Sequence, residues 1–254
     1  MAIAGCALSA STTTFTMPSR SPKKKTITRL TPDLRIADII ATTRQIIQEK
    51  GYESVLTTEV ASRCGISEAT IFKYFPTKRD LLRTVTEQWF GEVLDHIEGT
   101  DNQALPIAAR LRQVIWESLS IIRHERTLSR YILMELRADP TYKSMHVYQL
   151  NRRYTSRVIS VLKDAVQSGE FRADVSLAVI RNMIFGSIEH TTWAYLRGEG
   201  DFDVDEAADQ IAGVISRGLL VDGAAGHHAP AGKATRKAAG KAAGKAPKKA
   251  ASAK

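Results

Sequence analysis

The residues that could do chemistry cluster between Thr57 and Lys78. Ser67, Glu68, Ala69, Thr70, Lys73 and Tyr74 fall within eight positions, flanked by Thr58 and Lys78, and together they offer hydroxyls, a carboxylate, two ammonium groups and a phenol. Such a set suits hydrogen bonding to base edges and phosphates, where donors and acceptors matter and no covalent bond changes. Signatures of turnover are missing from the sequence: no Gly-rich phosphate loop, no His-Glu-x-x-His, and no Ser or Cys nucleophile in a recognised setting. The pairs His124-Glu125 and Glu189-His190 are adjacent and do not have metal-ligand spacing. Neither an enzyme, a cofactor nor a metal site is expected.

Positioning these residues falls to short helices. Thr31-Pro32-Asp33 reads as a helix start, with Thr31 as N-cap and Pro32 at the first helical position, where its missing N–H costs nothing. The stripe Ile36, Ile39, Ile40, Thr43, Ile46, Ile47 then runs to Gly51, a residue suited to a left-handed C-terminal cap. A second helix begins at Thr57 or Thr58, turns Val60, Ala61 and Cys64 inward, and is broken by Gly65; Ser67 caps a third. Two short apolar-faced helices around a glycine turn make a helix-turn-helix. Ala61 lets them cross closely, Ile66, Ile71 and Phe75 fix the second, and Glu68, Ala69, Thr70, Lys73 and Tyr74 are left on the free face, able to enter a major groove. Cys64 reads as a small buried hydrophobe. Thr77, three residues before Asp80, resembles a capping box with the shorter acid and starts a fourth helix through Leu81, Leu82, Val85 and Trp89.

Apolar spacing predicts further helices at about 104–124, 127–138, 141–168, 174–197 and 204–220, eight or nine in all, and no strand. The expected fold is all-α: an N-terminal three-helix helix-turn-helix DNA-binding domain over 33–78, then a helical ligand-binding and dimerisation domain over 79–221. Residues 1–32 are expected to be a disordered basic arm and 222–254 a disordered Ala/Lys-rich tail.

The stretch from Leu34 to about Val85 resembles the DNA-binding domain of the TetR/AcrR family, above all in Gly51-Tyr52, Thr57-Thr58, Val60-Ala61, Gly65-Ile66-Ser67 and the run from Thr70 to Leu82. The resemblance implies phosphate contacts from Thr58 and Lys78, base-edge or nearby contacts from Glu68, Ala69, Thr70 and Lys73, and a backbone contact from Tyr74. Phe72 stands where the family more often has a tyrosine whose hydroxyl reaches a phosphate, so that contact is expected to be absent. A transcriptional regulator is implied, by family default a homodimeric repressor released from double-stranded operator DNA by a small-molecule effector.

Beyond that stretch the residues speak through patterns. Leu177, Ile180, Ile184, Ile188 and Val204, Ala208, Ile211, Ile215 form two apolar stripes at helical spacing, placed where the family builds a four-helix bundle between protomers; the alternative is that both are intrachain core. Gly213 and Gly218 would allow close approach. Candidate pocket residues are Trp116, Tyr131, Met134, Tyr148, Phe185 and Trp193, with Asn151, Glu189 and His190 as polar anchors. The ligand class is left open. By the family mechanism, an effector would shift a pendulum position of the linker helix, about 78–96, and change the separation of the two reading helices.

The net charge of +9 lies at the ends. Residues 1–32 hold five cations and no acid and residues 223–254 hold eight and no acid, which leaves the body with 23 basic against 27 acidic residues. Lysines every fourth position from 233 to 249 could follow phosphates without reading bases, so a nucleoid-associated architectural protein is the rival reading. With only Cys6 and Cys64 there is no disulfide framework, no run is long and apolar enough for a membrane span, and the first sixteen residues lack a secretory signal, so a cytoplasmic protein is expected. That leader reads as disordered, with Met17 an alternative start and transit-peptide character a third reading.

Overall fold

A computed structural model describes residues 30–98 and 103–221. The tail reading, 222–254, and the arm reading, 1–32, up to residue 29 lie outside the described residues; the last residues of the arm, Thr31 and Pro32, already cap and open the first helix. Nine α-helices are present among the described residues: α1 Pro32–Lys50, α2 Thr57–Cys64, α3 Glu68–Tyr74, α4 Lys78–Glu98, α5 Ile107–His124, α6 Arg126–Arg130, α7 His146–Gln167, α8 Leu177–Arg197 and α9 Val204–Leu219.

The caps read from sequence form. Thr31 accepts the Leu34 amide at 3.4 Å and Ser67 the Thr70 amide at 3.3 Å. The Thr77 motif forms by half: Thr77 Oγ1 accepts the Asp80 amide at 3.1 Å, while the hydroxyl itself donates to the Asp80 carboxylate at 2.8 Å. The shorter acid reaches the hydroxyl instead of the Thr77 amide. Gly65 adopts the left-handed conformation, φ 64° and ψ 38°, but Gly51 does not. Its φ of 84° with ψ of 159° is a different glycine-favouring region, from which its amide still closes α1 onto Ile47 at 2.9 Å.

One expectation changes. The helix at 127–138 is a short α6 running directly into a π-helical turn, Tyr131–Leu136, in which the Arg137 amide donates to Ile132 five residues back at 3.0 Å. As expected, no strand occurs among the described residues; Phe171 and Leu220 form only an isolated antiparallel bridge, with Arg172 N on Leu219 O at 2.8 Å, which ties the end of α9 to the corner between α7 and α8.

Two apolar clusters hold the structure. The first joins α1 to α4 with Leu128, Tyr131, Leu136, Met145, Val147 and Leu150, so the core of the helix-turn-helix continues without interruption through Leu81, Val85, Trp89 and Leu94 of α4 into the second half. The second joins α5, α7, α8 and α9, with α5 at the centre: Leu111, Ile115 and Leu119 are wholly enclosed, and the polar residues Ser118 and Ser120 are buried beside them. Truncating one such buried aliphatic residue to Ala costs about 2–5 kcal/mol. Alongside this core, Glu117 and Arg157 form an enclosed ion pair at 2.6 Å between α5 and α7, and Glu87 of α4 accepts the Val147 amide at 2.9 Å, satisfying a donor at the start of α7 that no side-chain cap meets.

Candidate nucleic-acid interface and effector cavity

Around the Gly65 turn, Val60, Ala61, Cys64, Ile71 and Phe75 are buried, and this fixes which side of α3 faces out. Of the sequence-predicted contact residues, Thr58, Ser67, Ala69 and Lys73 are exposed, whereas Glu68, Thr70, Tyr74 and Lys78 are half-buried. Three of those four hold structure together. Glu68 accepts a hydrogen bond from Thr57 of α2, Thr70 Oγ1 lies 2.9 Å from Ser67 Oγ, and Lys78 Nζ donates to the Glu53 carbonyl at 3.2 Å, pinning the start of α4 to the turn between α1 and α2. Phe72 stands out beside Ala69 and Lys73. Behind this face, Arg63 pairs with both Glu49 and Glu59, and Lys50 with Glu59 at 2.7 Å, stitching α1 to α2. These partners hold both carboxyl groups below their ordinary value, chiefly through hydrogen bonds from Arg63 to Glu49 and from Lys50 to Glu59.

A cavity of about 320 Å³ lies between α4, α5, α6, the π turn, α7 and α8. Its apolar walls include Trp89, Phe90, Ile121, Ile132, Leu133 and Phe185. Tyr154 sits among them, its ring 5.6 Å from both Phe90, which it meets edge-on, and Phe185, to which it is tilted, and burial pushes its phenol up to about 12, so it stays protonated. Of the residues expected to line a pocket, Tyr148, Asn151, Phe185 and Glu189 do so; Trp116, Tyr131, Met134, His190 and Trp193 do not line this cavity. The reasons are physical. Tyr131 is buried against Tyr52, Trp116 and Met134 pack on the second apolar cluster, and His190 and Trp193 sit on the outer side of α8. Sequence reasoning missed Arg137, Arg152 and Arg181, which line the cavity together with the single carboxylate Glu189, because cations on amphipathic helices read as solvated. Glu189 is itself engaged by Arg137, so the rim keeps a surplus of positive charge.

One segment belongs to both places. Ser129, Ile132, Leu133 and Arg137 face the cavity, while Tyr131 lies with its ring 4.8 Å from that of Tyr52 and the neighbouring Glu135 accepts from Tyr52 Oη at 3.4 Å. Arg130 pairs with Glu53 and lies over the Tyr52 ring, 5.4 Å from its centroid, and Asp139 pairs with Arg79 at the start of α4. Burial, then the Glu53 carboxylate, pushes the Tyr52 phenol up to about 12.

The two stripes expected at a protomer interface turn inward instead. Ile180, Ile184, Ile188, Ala208 and Ile215 are buried in the second cluster, because α8 and α9 must cover α5. A different stripe faces out, Val179, Met183, Gly186, His190 and Trp193 on α8 with Val214, Gly218 and Val221 on or just after α9. Exposures of 54% for Met183, 46% for Trp193 and 63% for Val214 are high for apolar side chains at such regular spacing. A Cβ added at Gly186 or Gly218 would meet nothing within 4 Å. No described helix is long and apolar enough to cross a membrane, and no group of three or more potential metal ligands occurs among the described residues.

Residues 39–85 match the family model for bacterial regulatory proteins of the tetR family, and residues 104–219 match that for the tetracyclin repressor-like C-terminal domain. The fatty acid metabolism regulator protein of Bacillus subtilis is 22% identical over 181 residues, 71% of this chain and 93% of the relative. Among solved structures, the transcriptional regulator FadR from Bacillus subtilis in complex with stearoyl-CoA superposes with a TM-score of 0.61 at 22% identity, covering 72% of this chain and 98% of the other. A transcriptional regulator from Saccharomonospora viridis in complex with choline gives 0.63 at 19% identity, over 74% and 99%. The two family models together span more than half of the sequence, and the chain belongs to the TetR family of helix-turn-helix DNA-binding transcriptional regulators.

Proposed function

We propose that this regulator is a homodimeric, cytoplasmic repressor whose hold on operator DNA is loosened by an amphipathic anion in the cavity. The observation that carries the reading is the shared segment Arg126–Asp139, which is a wall of the cavity on one side and a clamp on Tyr52, Glu53 and Arg79 on the other. An effector that pushes Ile132 and Leu133 also disturbs the turn between α1 and α2, the turn that supports Lys78. The expected pendulum motion of α4 thereby gains a second lever. Coupling follows only if the ligand prefers one of the two arrangements, and by linkage DNA must then weaken the ligand as much as the ligand weakens DNA.

Ligand class follows from the rim. Aromatic and aliphatic walls accept an alkyl chain, and Arg137, Arg152 and Arg181 favour an anionic head, the chemistry of the stearoyl-CoA held by the Bacillus subtilis neighbour. Choline, held by the other neighbour, is a cation and meets that same positive rim unfavourably. The outer stripe of α8 and α9 supports a two-fold dimer, which lets two copies of α3 reach half-sites about 34–36 Å apart. Thr58, Ser67, Ala69, Lys73 and Lys78 carry the DNA contacts in this reading, with Glu68, Thr70 and Tyr74 setting the pose of α3. The architectural alternative is not favoured by the family matches.

The test uses full-length protein and the duplex flanking its own gene, with random duplex as competitor. Specific binding that weakens on adding stearoyl-CoA but not choline supports the proposal. Specific binding indifferent to stearoyl-CoA, at concentrations where calorimetry shows it bound, would sink the effector mechanism. Binding indifferent to sequence, and lost on deleting residues 223–254, would return the tail-driven reading.

A further inference from the structure

The outward surface of α3 is less polar than its sequence. Ser67 and Thr70 share one hydrogen bond between their hydroxyls, and Ser67, the N-cap, also accepts from the Thr70 amide. Glu68 is drawn back onto Thr57. Tyr74 packs half-buried on the first apolar cluster, with Lys73 Nζ 5.9 Å from its ring centroid. What stands outward is a methyl group, a phenyl ring and one ammonium: Ala69, Phe72 at 42% exposure, and Lys73. Spacings of three and four residues from Ala69 place all three on one facet.

The base edges of a major groove offer an apolar partner at one place, the C5-methyl of thymine; the other groups that distinguish the pairs are donors and acceptors. A phenyl ring laid over those polar groups strips their water and returns no hydrogen bond, whereas against a methyl both surfaces gain. We propose that Ala69 and Phe72 read thymine C5-methyl groups, so that each operator half-site places at least one thymine beneath the Phe72 ring, with Lys73 beside it supplying the cationic contact. The inference rests on the DNA-reading role of α3 proposed above. It also gives a physical sense to Phe72 standing where related chains carry tyrosine: a ring seated on a methyl has no use for a hydroxyl at its tip.

The experiment selects preferred duplexes from a random library with the full-length protein, then replaces the half-site thymines by uracil one at a time, which deletes the methyl and leaves base pairing and the protein unchanged. At one or more positions affinity should fall about fourfold per methyl, the ratio equivalent to exposing one methyl-sized group. That penalty should vanish in Phe72→Ala and persist in Phe72→Tyr, which keeps the ring. A selected site bound equally well with uracil throughout, or a uracil penalty undiminished in Phe72→Ala, overturns the methyl reader while leaving sequence-specific binding intact. Failure to select any sequence over random duplex overturns the DNA reading itself, and the inference with it.

Discussion

The short helix α3 and the long helix α8 both carry apolar side chains, and the two differ in how many faces those side chains occupy. On α3 the inward residue Ile71, with Phe75 behind it, is fully enclosed, and caps and turn leave little choice of orientation. On α8 two stripes run side by side, Leu177, Ile180, Ile184 and Ile188 inward and Val179, Met183, Gly186, His190 and Trp193 outward, both at helical spacing. A helix with one apolar face orients itself; a helix with two is oriented by its neighbours, here α5. The second apolar face then has to meet something else, and the proposed dimer supplies a second copy.

Substitutions that separate the two faces of α8 test this directly. The largest effect belongs inside: Ile184→Asp places a charge in a fully buried position and should cost about 4 kcal/mol or more, read as loss of the cooperative transition in chemical denaturation. Met183→Asp with Trp193→Glu, on the outer face, should leave each subunit folded by circular dichroism. Sedimentation should find monomers, and operator affinity should drop at least about a hundredfold, because interface anchors are lost and charge is placed where water must leave. Dimers that persist in that double variant would show that the outer stripe is not the interface, and would dissolve the contrast between the faces. A smaller effect is expected between the two halves: Tyr52→Phe removes the hydrogen bond to Glu135 and should change the effector-induced shift in operator affinity by about threefold while effector affinity measured without DNA stays the same. An unchanged shift would assign the coupling to α4 alone. The smallest concerns pH. Asp139 is held below the ordinary carboxylate value by Thr141, which donates both hydroxyl and amide at 2.6 Å, and by Arg79. Its contribution is therefore complete above the unfolded value of about 3.9 and lost as pH falls through the lowered one. The gap in melting temperature between the wild type and Asp139→Asn should close on acidification across that window; a gap that stays constant would show that the Arg79 link does not depend on the charge.

Legibility followed the locality of each signal. Thr31, Gly65 and Ser67 act on residues within four positions of themselves, and the helix-turn-helix they frame is where the sequence predicts it. The polarity of the reading face was harder, since nothing in the order of residues reveals that Glu68 bonds Thr57, eleven positions away, or that Lys78 bonds Glu53, twenty-five away. In the second half the cavity draws on six separate elements, so residue type picks out Tyr148, Asn151, Phe185 and Glu189 but not Arg137, Arg152 and Arg181. Tyr131 shows the converse: an aromatic of suitable type, a single residue from the cavity-lining Ile132, whose ring is spent on Tyr52.

The π turn at Tyr131–Leu136 amounts to an α-helix holding one residue more than its turn requires. Each residue of an α-helix advances about 100° around the axis, so closing this turn as ordinary α-helix with its extra residue kept would rotate everything downstream by that angle, carrying Arg137 from the cavity and Asp139 from Arg79 in a single step. The register of this one turn therefore sets both contacts at once, and deleting its extra residue would let the helix close regularly with Arg137 and Asp139 still facing as they do.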